Sequence, residues 1–203
     1  LDKVEADDII AYLSDVTPQK KEDKVFIVSS DKDFLQLINE NVIVYRPMEK
    51  EYYTVDTVVE KFKMSPNNFI LYKTLMGDNS DKVAGIKGLG EKKLYKLFPE
   101  LTTQEMTLED IYNISVKKLK ENVIYARIIQ NFESLKTNYK IMDLSKPMID
   151  KNDEKYLDSV VKSKDILYLP DQFVSMYNTD QLGGIIRNVE YWVKDCFESL
   201  QIK

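Results

Sequence analysis

The run Lys24-Val25-Phe26-Ile27-Val28-Ser29-Ser30 restricts the fold of this chain more than any other stretch. A charged start followed by a continuous apolar segment is the pattern of a strand covered on both faces, as in a parallel sheet. The run leads directly into Asp31-Lys32-Asp33, and strand ends are where open α/β sheets gather ligands. Asn41 to Arg46 supplies a second β-branched run, limited by Pro47, and Tyr52-Tyr53-Thr54 a third short one. Glu5 to Leu13 spaces Ile9, Ile10 and Leu13 as a short helix. Helices thus alternate with strands, which predicts an α/β fold.

Strand signals fade after Pro66. Ser65-Pro66 reads as an N-cap with proline at the first helical position, opening a helix through Phe69, Tyr72 and Met76 to Gly77. Gly85 to Gly90 reads as a glycine-rich hairpin, and Glu91 to Phe98 as the next helix, stopped by Pro99. Val116 to Tyr139 is expected as one long amphipathic helix, with Ile128, Phe132, Leu135 and Tyr139 at helical spacing. Pro147 and the charged stretch Asp150 to Lys155 mark a turn or loop. Asn178 to Leu182, with Gly183 and Gly184, precedes a last helix ending near Leu200. The expected division is residues 1–65 as the α/β part and 66–203 as a helical subdomain.

Two scarcities prune the chemistry. The chain has no histidine, which removes histidine acid–base catalysis, His-based triads and the usual zinc ligand set. It has one cysteine, so no intramolecular disulfide can form, in keeping with a reducing, cytoplasmic setting. Cys196 shares an apolar stripe with Val189, Trp192, Val193 and Leu200, and is expected in a core. No apolar run is long enough to span a bilayer, so no membrane partner is expected. The opening Leu1-Asp2-Lys3-Val4 carries no basic leader and reads as a chain already inside a domain. The net charge of −5 argues mildly against a nucleic-acid partner, but the charge is unevenly distributed.

Three acidic groups stand out: Glu5-Ala6-Asp7-Asp8 at a helix start, Asp31-Lys32-Asp33 after the apolar strand, and Gly77-Asp78-Asn79-Ser80-Asp81 past a helix end. In extended chain Asp31 and Asp33 point the same way, and Glu5 and Asp8 share one helical face. Asp78 and Asp81 lie one turn apart if their loop coils. Carboxylates gathered in this number repel one another unless cations compensate. All-oxygen ligands favour Mg²⁺, with Mn²⁺ able to substitute, and two such ions are standard machinery for in-line phosphodiester hydrolysis. Each cluster alone is more simply a cap or a turn; the three together favour a metal site. Asp31 and Asp33 taken by themselves also resemble a glycosyltransferase metal motif.

The segment Lys82 to Lys96 holds five lysines (82, 87, 92, 93 and 96) against one acid, Glu91, inside an acidic chain. Gly85, Gly88 and Gly90 permit close backbone approach, and the last two lead into a helix. This combination is a plausible footprint for a DNA backbone. It carries no Arg or Asn placed for base reading.

Glu-Ala-Asp-Asp at 5–8, Ser-Ser-Asp-Lys-Asp-Phe at 29–34 and Met-Gly-Asp-Asn-Ser-Asp-Lys-Val-Ala-Gly-Ile-Lys-Gly-Leu-Gly at 76–90 resemble the 5′-nuclease superfamily. Its members include flap endonucleases, the 5′-nuclease domain of bacterial DNA polymerase I, and phage 5′-exonucleases with ribonuclease H activity; the phage type looks closest. The resemblance implies a parallel-sheet, PIN-like nuclease domain followed by a helical subdomain with a helix-three-turn-helix element, here a helix-hairpin-helix at about 82–98. It implies an Mg²⁺-dependent enzyme acting on DNA with a 5′ flap, a nick or an RNA primer, in a bacterial or phage-infected host cell. A replication clamp or a single-strand-binding protein would be further partners. Glu5, Asp7 and Asp8 match the first metal's ligands, Asp31 and Asp33 those of the second, and Asp78 and Asp81 the remaining acidic pair. Lys73 matches a DNA-touching basic position and, with Asp31 and Asp33, a catalytic one. Lys82, Gly85, Lys87, Gly88, Gly90, Lys92 and Lys93 match the duplex-gripping hairpin, often with K⁺. The family's N-terminal segment, with two further aspartates and the gateway for the 5′ strand, has no counterpart in these residues. A separate N-terminal partner would then complete the centre, and the alternative is a non-catalytic DNA-structure-binding fragment.

Overall fold

The structure, a computed structural model, describes all residues except 19, 79–81, 164–167 and 198–203. It divides into two compact units, Leu1–Asp150 and Lys151–Lys203.

The first unit opens with helix α1, Ala6–Val16, and a three-stranded sheet of β1 (Val25–Val28), β2 (Val42–Arg46) and β3 (Glu51–Tyr53). β1 and β2 are parallel and β2 and β3 antiparallel, so the sheet is mixed, in the order β1-β2-β3. β1 is not covered on both faces as its composition suggests. Ile27 is buried, but Phe26 and Val28 are 54% and 65% exposed. Phe26 and Val28 alternate with Ile27 and point to the opposite face, where Phe26 meets the exposed Tyr52 of β3 and the described residues leave the sheet uncovered. The buried side packs Ile27, Val42, Val44 and Tyr53 against Ala11, Phe34, Leu35 and Ile38.

Helix α2, Val55–Phe62, is capped by Thr54 and ends on Lys63 in the left-handed region. Ser65 is extended, but its hydroxyl makes no cap. Pro66–Asn68 instead form a 3₁₀ turn before α3, Phe69–Met76. β4 (Gly77–Asp78) and β5 (Val83–Ala84) pair antiparallel, and α4, Glu91–Leu97, follows the hairpin. A Cβ on Gly85 would stand 2.2 Å from the Met76 carbonyl, and one on Gly77 2.3 Å from the Gly85 nitrogen. These two glycines allow the crossing backbones to touch.

The single long helix expected over Val116–Tyr139 is instead three: α5 (Leu108–Lys117), α6 (Val123–Gln130) and α7 (Phe132–Met142). Asn122 breaks the first junction by accepting from the Ile124 N–H at 3.0 Å, which starts a new helix. Asn131 breaks the second, with its amide on the Arg127 carbonyl at 2.7 Å. Both asparagines offer the backbone a local partner that competes with helix continuation. A second core joins Leu71, Leu75, Leu94, Phe98, Ile111 and Ile128. Asn68, 1% exposed, ties it off: its amide donates to the Leu101 and Gln104 carbonyls and accepts from the Met106 N–H. After α7 the chain returns to the sheet side, where Leu144 joins the first core and Gln36 grips both the Met142 carbonyl and the Leu144 N–H at 3.0 Å.

In the second unit, α8 (Lys151–Lys162) corrects the loop expected at Asp150–Lys155. That stretch is highly charged, but Leu157 four residues on from Asp153 gives it a buried side. α9 (Pro170–Thr179) and α10 (Val189–Phe197) pack through Phe173 and Trp192, with ring centroids 6.0 Å apart. The expected end near Leu200 lies outside the described residues. Cys196 is exposed rather than in a core; Val193 is the buried residue of that helix.

Replacing Asn68 with Ala leaves three buried backbone groups without their partner and should cost on the order of 3 kcal/mol, read as a lowered urea midpoint. At α5, Thr107 and Asp110 form a reciprocal capping box, and the bonds from the Thr107 side chain and backbone hold the Asp110 carboxyl below its ordinary value of 3.8. That contribution is complete above the ordinary aspartate range and lost as pH falls through the lowered folded value. Thermal melts should therefore show the difference between the native chain and Asp110→Asn shrink and vanish as the pH is taken below the ordinary aspartate range.

Candidate functional site

Glu5 is the exposed, extended residue before α1 and makes no side-chain cap bond. Asp7 and Asp8 occupy the first turn. Asp8 is 8% exposed, and its Oδ1 accepts from the Met148 N–H at 3.0 Å. Asp31 and Asp33 are not in extended chain. The Asp33 N–H donates back to Asp31 Oδ1 at 2.8 Å, and the Asp31 N–H to Ser29 Oγ at 3.0 Å, a pair of short turns that start a 3₁₀ segment, Asp33–Leu37. The two carboxylates are thus set by the turn rather than by strand alternation.

These two segments meet. Glu5, Asp7, Asp8, Asp31 and Asp33 line one cavity of about 440 Å³, closed on its other side by Val83, Lys140 and the chain from Met142 to Met148. Burial raises the Asp7 carboxyl above its usual range, and Asp31, Asp33, Glu5 and Asp8 add to it by repulsion. Burial raises Asp33 as well, against the bond it receives from Lys73.

Lys73, on α3, is buried and its ammonium bridges the carboxylates of Asp33 and Asp78. Burial alone would weaken this ammonium, but the bonds to Asp33 and Asp78 hold it above the ordinary lysine range. Its position is therefore beneath the acidic cluster. Asp78 closes β4, and Asp81 lies outside the described residues. Among the described residues, no three acidic side chains stand close enough to hold one metal ion.

Sequence reasoning missed the residues that hold this arrangement. Arg46 is buried, and its Nη2 donates to the Ser30 carbonyl at 2.8 Å, fixing the chain just before Asp31. Gln36 holds the far wall. Arg46 had a weak signal, as one of only three arginines in a lysine-rich chain; Gln36 had none.

The hairpin presents Lys82, Lys87, Lys92 and Lys93 as exposed side chains, while Ile86 and Leu89 anchor it in the second core. Gly88 has φ +81°, which favours glycine; Gly90 does not need to be glycine, with extended backbone and open space at its Cβ. Gly85 belongs to the backbone contact beneath the hairpin rather than to its tip. Lys93 Nζ donates to the Gly88 carbonyl at 2.9 Å, and Arg127 Nη1 to the Lys87 carbonyl at 2.5 Å. Tyr72 and Tyr95 pack rather than stack outward: Tyr72 lies on Phe69, and the Tyr95 hydroxyl donates to the Phe62 carbonyl.

Residues 1–63 match the family described as 5′-3′ exonuclease, N-terminal resolvase-like domain, and residues 64–155 match 5′-3′ exonuclease, C-terminal SAM fold. The chain belongs to the 5′-3′ exonuclease family. A 5′-3′ exonuclease of Aquifex aeolicus is 42% identical over 106 residues, which is 52% of this chain and 36% of that protein. DNA polymerase I of Bacillus subtilis is 39% identical over 127 residues, 61% of this chain and 14% of the polymerase. The chain thus spans about a third or less of the curated relatives it matches. Solved structures of the bacteriophage T5 5′-exonuclease share the fold. One, crystallised with metal ions, has a TM-score of 0.65 at 21% identity, covering 78% of this chain and 59% of the other. Another, a T5 flap endonuclease complexed with DNA and metal ions, has a TM-score of 0.64 at 21% identity, covering 78% and 58%. The mixed α/β part and the helical part of this exonuclease-family chain agree with the resolvase-like and SAM-fold descriptions. Among the described residues no helix is long and apolar enough to cross a membrane.

Replacing Lys73 with Met leaves two half-buried carboxylates without their shared cation. Urea unfolding should show a loss of about 3 kcal/mol, partly restored by adding Asp33→Asn.

Proposed function

We infer that this exonuclease-family chain acts in a divalent-metal-dependent phosphodiesterase at DNA 5′ ends. The observation that supports this best is the convergence of Glu5, Asp7, Asp8, Asp31 and Asp33, joined by Asp143 from a third segment, on one cavity, in the unit that also carries an exposed basic hairpin. The donor set fits a hard cation: all donors are oxygen, and the carboxyls of Asp7 and Asp33 are held high by burial and crowding that a cation would relieve. Glu5, Asp7, Asp8, Asp31 and Asp33 would hold Mg²⁺, or Mn²⁺ in its place, as one or two ions, with Asp78 and Asp81 as further ligands. Such ions supply Lewis acidity and an activated water for in-line hydrolysis.

The chain's own residues set the geometry. Arg46 pins the turn that aims Asp31 and Asp33. Lys73 keeps Asp33 and Asp78 together and, in this reading, is the catalytic cation that would face phosphate charge. Lys82, Lys87, Lys92 and Lys93 grip the duplex backbone without reading bases. A K⁺ ion at the hairpin belongs to the same reading; the Gly88 and Lys87 carbonyls there already accept from Lys93 and Arg127. Substrates in this reading are DNA flaps, nicks and RNA-primed ends. The reading keeps residues 1–65 as the nuclease part and 66–203 as the DNA-binding part.

A second reading, a DNA-structure-binding part whose centre is completed by another segment, is favoured by the absence of any three-carboxylate metal group among the described residues. The two separate on a 5′-labelled flap DNA incubated with Mg²⁺ and then with EDTA. The first predicts an EDTA-sensitive short product that Asp31→Asn removes while duplex binding survives. Duplex binding without any product supports the second. A product unaffected by EDTA or by Asp31→Asn would sink the metal assignment.

A further inference from the structure

We propose that Arg127, on α6 and outside the hairpin, binds a nucleic-acid phosphate at the hairpin tip. The proposal rests on the nucleic-acid reading of the hairpin given above. The tip formed by Lys87 and Gly88 exposes two carbonyl oxygens, whose negative ends would repel a phosphate. Each is covered by a cation: the Gly88 carbonyl by Lys93 Nζ at 2.9 Å, and the Lys87 carbonyl by Arg127 Nη1 at 2.5 Å. The guanidinium lies close enough to the tip that a Cβ on Gly88 would stand 2.8 Å from Nη1. Gly88 is favoured as glycine by its positive φ, while the flexible end of Arg127 could give way to a side chain there.

A guanidinium carries five donors in a rigid fork suited to phosphate. Among the described residues its one acceptor is the Lys87 carbonyl, bound through Nη1. Among the described residues no carboxylate forms an ion pair with Arg127. A half-buried guanidinium without a counter-charge, beside exposed Lys87, Lys92 and Lys93, leaves its remaining donors for an anion held at the same face. Lysine at this place could neutralise the carbonyl, but a single ammonium would not serve carbonyl and phosphate with fixed geometry.

The test measures duplex binding against NaCl for the native chain, Arg127→Gln and Arg127→Lys. Removing one phosphate contact should lower the slope of log affinity on log salt by about 0.9. Arg127→Gln keeps a donor for the Lys87 carbonyl, so that slope change is expected there, and Arg127→Lys, whose single ammonium cannot hold carbonyl and phosphate together, should fall between Arg127→Gln and native. Weaker binding by Arg127→Gln at an unchanged slope would mean that Arg127 only props the hairpin, and overturns the proposal while leaving the nucleic-acid reading intact. A native chain that binds no duplex overturns both. Because either variant could loosen the fold, the native chain is also treated with phenylglyoxal, with and without duplex. Three arginines make the mass map simple. Selective protection of Arg127 by DNA supports the proposal, and equal modification in both arms defeats it.

Discussion

The shared ion pair of Lys73 with Asp33 and Asp78 is the interaction on which the rest of the first unit depends. Asp33 follows the sheet's first strand, Lys73 rides on α3 from the second core, and Asp78 ends the short strand leading to the hairpin. One buried ammonium thereby ties three segments together beside the acidic cavity. A lone buried carboxylate here would be costly, and two would be more so; the lysine offsets both. It also explains why α3 has charge in its otherwise apolar last turns. The packing that positions the hairpin is thus coupled to the electrostatics of the cavity.

That coupling was only partly legible in the sequence. The acidic segments at 5–8 and 31–33 and the glycine hairpin are local patterns that a sequence displays directly, whereas residues 79–81 of the third segment lie outside the described residues. Asp31 and Asp33 were placed correctly on the chain but given the wrong local geometry, since the Asx turn between them competes with extension. The pairing of Lys73 spans 40 residues to Asp33, and no local pattern encodes it. Gln36 leaves no trace in the sequence and Arg46 only its rarity, for the same reason: the backbone groups they hold belong to other segments, and any polar side chain of the right length looks alike in sequence.

Helical periodicity located the second half's apolar faces but not their breaks. Asn122 and Asn131 interrupt a pattern that remains nearly in phase across them, so spacing alone joins three helices into one. Cys196 was misjudged by the same logic. Its stripe is real, but α10 buries chiefly Val193. Of the glycines, Gly77, Gly85 and Gly88 answer to steric demands, whereas Gly90 does not, so a glycine motif read from sequence mixes positions of unlike necessity.

The edge position of β1 has a colloidal consequence. Phe26 and Val28 face solvent from a strand that has no partner along its outer side among the described residues, beside a groove between Ile10, Leu13 and Val25. Such a margin is a template for adding further strands, whether from a neighbour in solution or from the same polypeptide. For a purified preparation of these residues, concentration itself becomes a variable: the uncovered margin of the sheet is the one through which molecules would find each other first.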